Sequence, residues 1–575
     1  MRTLLGVIGG GIGALVLTGC TVSLDSPLGP STGNLPGSGG TNSGDNAVVN
    51  GSRAALCSDE DSADKPGPRL LRRLTKPEFE STVRAVFSLD LQAWPGSTLP
   101  PDAAAQNGFT NQVDQLAVGD SFAERLLESA EQVGDLVSTA EHLDKLVSCG
   151  ATGGAACANQ FLDRVGKRLY RRPLAQDERA RYLDLLAQVG DAGGSFTQWV
   201  KWATTSLVAS PHAVYRSELG EADASGDFQL NAYERATALA YTFTGAPPSE
   251  ALLAQAERGE LADAEGLRAA AKQLALDSSG APNPAFREQF ARFVGQWLGL
   301  SALANRQKDA SLFPDWSDAV RGSMAAELQA FVEHVVFDAR GDMNELLTAP
   351  YTMLDPTLAS FYGYGASDQT GFTLTQRPSD WGVGLLAQGA LLSLRATNRD
   401  TSPTQRGHMV RERILCFDVP PPPPTVGKIP DGTGAETTRQ RYETLHAANA
   451  SCASCHRLMD PVGFGFEHLD ATGRYRTSEN GFSIDDTGML VATSKGVSDV
   501  AFQGPTELAD QVANNEVAGA CLGSYFASFA FGLDRHDTSC LVENARERLG
   551  KGEQSILDFM LALVDAPHFT QRHEE

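Results

Sequence analysis

Apolar residues return every three or four positions through most of this chain, and that period constrains the fold more than any other feature. Phe79, Val83, Val86 and Phe87 fall on one helical face, behind a Thr75/Glu78 capping-box signature. The same spacing recurs at Phe161, Leu162, Val165 and Leu169. It recurs again at Phe286, Phe290, Val294 and Trp297, after Asn283-Pro284, and at Met324, Leu328, Phe331, Val332 and Val335. Such stripes read as core-facing surfaces. Alternating strand patterns are scarce, TGFTLTQRP near residue 370 being the best. The expected fold class is mainly α, in several helical domains.

Two segments interrupt the pattern. Residues 21–66 are rich in Gly, Ser, Asn and Pro and read as a disordered linker, while Pro420 to Pro424 reads as a stiff polyproline spacer. The start, MRTLLGVIGGGIGALVLTGC, has one early positive charge, a short apolar run and small residues before Cys20. It reads as a secretion signal over 1–20, and Leu17-Thr18-Gly19-Cys20 resembles a bacterial lipobox in which Cys20 is lipidated. The expected location is therefore outside the cytoplasm, on the periplasmic face or cell surface, with the lipid in the outer membrane. With 47 Lys plus Arg against 71 Asp plus Glu, the net charge is −24, and no basic stripe offsets it. That field disfavours nucleic acid as a partner.

The chemistry-bearing residues concentrate at Cys452-Ala453-Ser454-Cys455-His456. Two thiols three apart with an adjacent imidazole match the c-type haem attachment pattern: each thiol adds to one vinyl group, and the imidazole becomes the proximal iron ligand. A shuffled chain of this composition would contain the pattern about 0.002 times, so chance is a poor explanation. A thioredoxin-like dithiol would need a βαβ context. A zinc site would need a fourth ligand, for which His446 and His468 are available, and usually a second paired knuckle. Export favours one covalent haem c. For the sixth iron position Met489 and an open or water-occupied site stand level; His446, His468, His536 and Met409 are weaker. Met459, on the same helical turn as His456, reads as a packing residue. Arg474 and Arg476 are candidates for the haem propionates, with plain surface roles as the alternative.

Six of the nine cysteines remain after Cys20, Cys452 and Cys455 are assigned, an even number suited to an oxidising compartment. Short separations favour Cys149 with Cys157 and Cys521 with Cys540, and elimination then joins Cys57 to Cys416; independent free thiols are the alternative. No nucleophile elbow, phosphate loop or H-E-x-x-H helix is present, and Glu333-His334 lacks a second His at helical distance. Catalytic residues are not identifiable.

The strings RRLTKPEFESTVRAVFSLDL, FLDRVGKRLYRRPLAQDERARYLDLL, YTMLDPTLASFYG, TSPTQRGHMVRERILCFDVPPPPP, CASCHRLMDPVGFGFEHLDATGRYR and DAPHFTQR resemble, in order, the modules of planctomycete and myxobacterial multi-domain cytochrome c-like proteins. The resemblance spans residues 67 to 575. It implies an exported, mostly helical protein with one c-type haem near the C-terminus and no established substrate. His468 departs from the Asn of the usual string, and Leu533 replaces an Arg. The expected segments are 67–148, an N-terminal helical domain; 157–220, a small helical domain; 228–365, a central helical domain; 383–477, holding the Pro-rich linker and haem motif; and 478–575, a C-terminal helical domain. The expected function is a lipid-anchored haem protein relaying single electrons to a redox partner protein or small-molecule substrate. Two alternatives stand beside it: a peroxidase- or oxygenase-type enzyme with an open distal site, and a cell-surface scaffold, polysaccharide-associated, with accessory haem.

Overall fold

The computed structural model describes residues 65–574 apart from 225, 366–367, 420–431, 433, 448–449, 493–497 and 550–554; side chains at 446–447, 450–452, 454, 516 and 539 are also outside it. Cys20, Cys57, the side chains of His446 and Cys452, the signal, the linker up to residue 64 and the polyproline run thus lie outside the described residues.

Helices dominate, joined by short strands. The capping box ahead of Lys76–Phe87 closes in both directions: the Thr75 hydroxyl accepts from the Glu78 amide, and Glu78 accepts from the Thr75 amide. The four apolar stripes all face inward, with Val83, Phe161, Trp297 and Phe331 among the most buried side chains. Two cores result. One packs Lys76–Phe87 and Asp120–Val137 against Phe196–Ala209 around Trp199 and Phe161. The other runs from Ala232–Thr244 through Pro284–Leu298 and Asp318–Glu333 to the C-terminal helices, and takes in Val462, Phe466 and Leu469 beside the Cys-Ala-Ser-Cys-His segment. Three segments read separately from the sequence therefore share one hydrophobic interior.

The strand at Thr373–Gln376 forms where the alternation pointed, antiparallel to Tyr351–Leu354. A four-stranded sheet orders Gly67–Pro68, Gln571–His573, Phe228–Gln229 and Glu221–Ala222; its first pair is parallel, with Gly67 opposite Arg572.

Cys149 is bonded to Cys157, as their separation suggested. Cys416 is bonded to Cys521, which overturns both the Cys521–Cys540 and the Cys57–Cys416 expectations. The reason is tertiary. The π-helical turn Val410–Ile414 packs on the helix Glu516–Phe531, where the Tyr525 hydroxyl donates to the Glu412 carbonyl at 3.1 Å, and this brings the two cysteine Cα atoms to 5.4 Å. Cys540 is disulfide-bonded to a partner outside the described residues.

Candidate haem-attachment site

The motif occupies the helix Ala450–Phe464, which carries Pro461 in its interior. Proline lacks the N–H that would close one ladder hydrogen bond there. Across it lies the short helix Pro403–Met409, capped by the Ser402 hydroxyl and begun by Pro403. The crossing is close because two positions lack a side chain: a Cβ on Gly407 would collide with the Met459 carbonyl, and one on Gly463 with the Pro403 carbonyl. Only glycine admits that approach.

Two buried arginines hold the crossing in place. Arg406 donates to the carbonyls of Phe466 (3.0 Å), Leu469 (2.7 Å) and Asp470 (2.7 Å), just past the end of the motif helix. Arg411, on the π turn, donates to the carbonyls of Leu458 (2.5 Å) and Val491 (2.8 Å). Burial lowers both guanidinium pKa values to about 10, so both stay charged at neutral pH. Cations suit the C-terminal end of a helix, which Arg406 reaches, because carbonyls there lack helical donors.

The imidazole of His456 is oriented from its Nδ1 side. Both carboxylate oxygens of Asp460 lie 3.1 Å away, and the Thr404 hydroxyl lies at 3.2 Å while donating to Asp460 at 2.6 Å. An ionised carboxylate accepts only, so Nδ1 carries a proton, and in the neutral ring the lone pair is then on Nε2. The Asp460 side chain is 8% exposed and that of His456 18%. Cys455, partly exposed, keeps its thiol one residue before the imidazole. Asp460 was within reach of sequence reasoning, since i and i+4 share a helix face; Thr404, 52 positions earlier, carried no such signal.

The other candidates are placed elsewhere. Met489 is on the strand Thr487–Leu490, where Gly488 backs onto the Pro461 carbonyl; alternation sends Met489 to the opposite face, 37% exposed. His468 stacks on Tyr475 and its Nδ1 lies 2.8 Å from the Arg476 carbonyl. His536 pairs with Asp418 at 3.0 Å, and this hydrogen bond raises its pKa. Met409 and Met459 are buried in packing. Arg476 is engaged by Glu467 and Glu479, both at 3.0 Å, and Arg474 lies over the Phe361 ring, 3.3 Å from Asp315. Protein carboxylates thus occupy both arginines considered for propionates. Glu467 is fully buried, which raises its pKa, and accepts from Thr401 at 2.8 Å. Thr401, Ser402 and Thr404 therefore serve in turn as carboxylate donor, helix cap and imidazole anchor.

Fold and site define a mainly α, multi-domain protein in which a Cys-His helix is clasped by a glycine-bearing partner helix. Four family models match in succession: PSD3 (protein of unknown function, DUF1587) over 72–139, PSD5 (DUF1595) over 157–218, PSD4 (DUF1592) over 230–364 and PSCyt3 (DUF1588) over 383–479. The chain thus carries the domain series typical of planctomycete multi-domain cytochrome c-like proteins. Thr404, Gly407, His456 and Asp460 all fall inside the PSCyt3 match. No curated protein and no solved structure matches the chain.

Proposed function

We propose that this chain is an exported, lipid-anchored c-type haem protein that relays single electrons. The observation carrying this reading is the carboxylate- and hydroxyl-held imidazole of His456, adjacent to Cys455 on the motif helix. The donor set fits the group: Cys452 and Cys455 would supply the thioether links and His456 Nε2 a nitrogen ligand for the iron. Haem, when attached, supplies one-electron chemistry between ferric and ferrous iron. The protein residues do the rest. Asp460 and Thr404 fix the ring and its tautomer, as partners of metal-bound histidines do, and Arg406 and Arg411 fix the helix that presents it. Cys20 would carry the lipid, and a redox partner protein or small molecule would exchange the electron.

A pyridine haemochrome spectrum of the mature protein, matured with a cytochrome c assembly system and extracted with acid-acetone, tests this. Two thioether links give a characteristic α-band that disappears in Cys452→Ala/Cys455→Ala. Absence of bound haem under conditions that mature a control cytochrome refutes it.

The outward placement of Met489 favours a second reading, a haem oxidoreductase with an open sixth position. A high-spin spectrum that shifts with carbon monoxide or peroxide selects it; a low-spin spectrum with a Met-to-iron charge-transfer band selects the relay.

A further inference from the structure

A cavity of about 40 Å3 lies where the strand pair Arg72–Arg73 and Tyr215–Arg216 meets the C-terminal strand Gln571–His573. The charged groups on its wall are Arg72, Arg216, Arg572 and Glu218, with Phe531 and His568 beside them. Each of the three arginines is more than nine-tenths buried. Glu218 is already taken: Oε1 accepts from Arg216 Nε at 2.5 Å and Oε2 from Arg572 Nη2 at 3.3 Å. Three guanidinium groups thus face one carboxylate, a surplus of two positive charges at the wall.

The surplus belongs to the cavity wall, and carboxylates behind the wall offset part of it. Glu78 and Glu234 act electrostatically on Arg72 and Arg572 but do not line the space. Glu78 is turned to the Thr75 amide at 2.8 Å, and Glu234 to the amides of Leu219 and Asn231, both at 3.0 Å. Burial holds His568 neutral, with its pKa lowered to about 3. Two guanidinium atoms, Arg72 Nε and Arg216 Nη1, are buried with no hydrogen-bond partner among the described residues. Buried donors and charges in folded proteins are normally matched, so each such atom points to a missing acceptor.

We propose that this cavity is a binding site for one small monovalent anion of the halide or nitrate class. Arg216 Nη1 donates to it, and Arg72 and Arg572 supply the balancing charge. Volume sets the class: a water needs roughly 10–15 Å3 on this measure, so the space suits about three water-sized positions and excludes sugar phosphates and nucleotides. Guanidinium suits the role because it stays charged when buried. The anion would tie together chain segments around residues 72, 216 and 572, which lie far apart in sequence.

The test uses the full-length mature protein in sodium gluconate, an anion too large for the cavity, with chloride substituted at constant ionic strength. The expected result is a saturable rise in Tm with chloride, absent in Arg216→Met, together with an anomalous bromide peak within hydrogen-bonding distance of Arg216 Nη1 in crystals of the unmodified protein grown in bromide. A Tm independent of chloride, with water alone in the cavity of bromide-grown crystals, overturns the proposal.

Discussion

His456 Nδ1 is 3.1 Å from both carboxylate oxygens of Asp460, one helical turn further along the same helix. A full negative charge on the far side of an imidazole makes the ring a stronger electron donor through Nε2. On the proposed haem, that donation favours ferric over ferrous iron. Asp460→Asn keeps a hydrogen-bonding group but removes the charge, so the midpoint potential rises. A tenfold change in the ferric-to-ferrous preference is about 59 mV for a one-electron couple, the scale to expect. Spectroelectrochemical titration reads it, and an unchanged potential removes Asp460 from this role.

The crossing of Pro403–Met409 over the motif helix leaves no room at Gly407. Gly407→Ala must push the helices apart or bend one of them, and overpacking of this kind costs about 1–3 kcal/mol. Urea unfolding shows a lower midpoint, whereas Gly322→Ala, exposed in the helix Asp318–Glu333 with nothing near it, leaves stability unchanged or raises it by up to about 1 kcal/mol.

The Cys416–Cys521 bond spans 105 residues and ties the turn before the polyproline run to a C-terminal core helix. Loss of a native bridge closing a long loop costs about 2–4 kcal/mol. Cys521→Ser should lower Tm accordingly, and non-reducing peptide mapping of the unmodified protein should recover the 416–521 and 149–157 peptides. A 521–540 peptide would contradict the fold.

Acid sensitivity follows from His568, neutral in the folded protein because burial lowers its pKa to about 3. The unfolded chain protonates this side chain near pH 6.5, so between pH 6.5 and 3 it binds the extra proton and is favoured. The contribution of His568 is complete above 6.5 and declines by up to about 1.4 kcal/mol per pH unit below it. His568→Gln flattens the stability profile in that window. Parallel profiles for both proteins would show that His568 is protonated in the fold.

What the sequence made legible was local. The helical stripes, the Thr75–Glu78 capping box, the strand at Thr373–Gln376 and the Cys149–Cys157 pair all rest on neighbours within about ten positions, where spacing alone reports geometry. Asn283 sits at its helix start as expected, but its amide donates to the Gln273 and Leu274 carbonyls rather than capping the helix. Long-range closure was not legible. Cys416 finds Cys521, Thr404 finds His456, and Arg216 meets Arg572 only because intervening helices pack, and no sequence period encodes those meetings.

The parallel pairing of Gly67–Pro68 with Arg572–His573 has a consequence for assembly in time. A strand made early finds its neighbour about 500 residues downstream, so the sheet stays unfinished until Arg572 and His573 have emerged. Until then the strand's edge is open to pairing with another chain. A protein threaded end-first across a membrane would meet that hazard on every passage, and a chaperone guarding the early edge would shorten it.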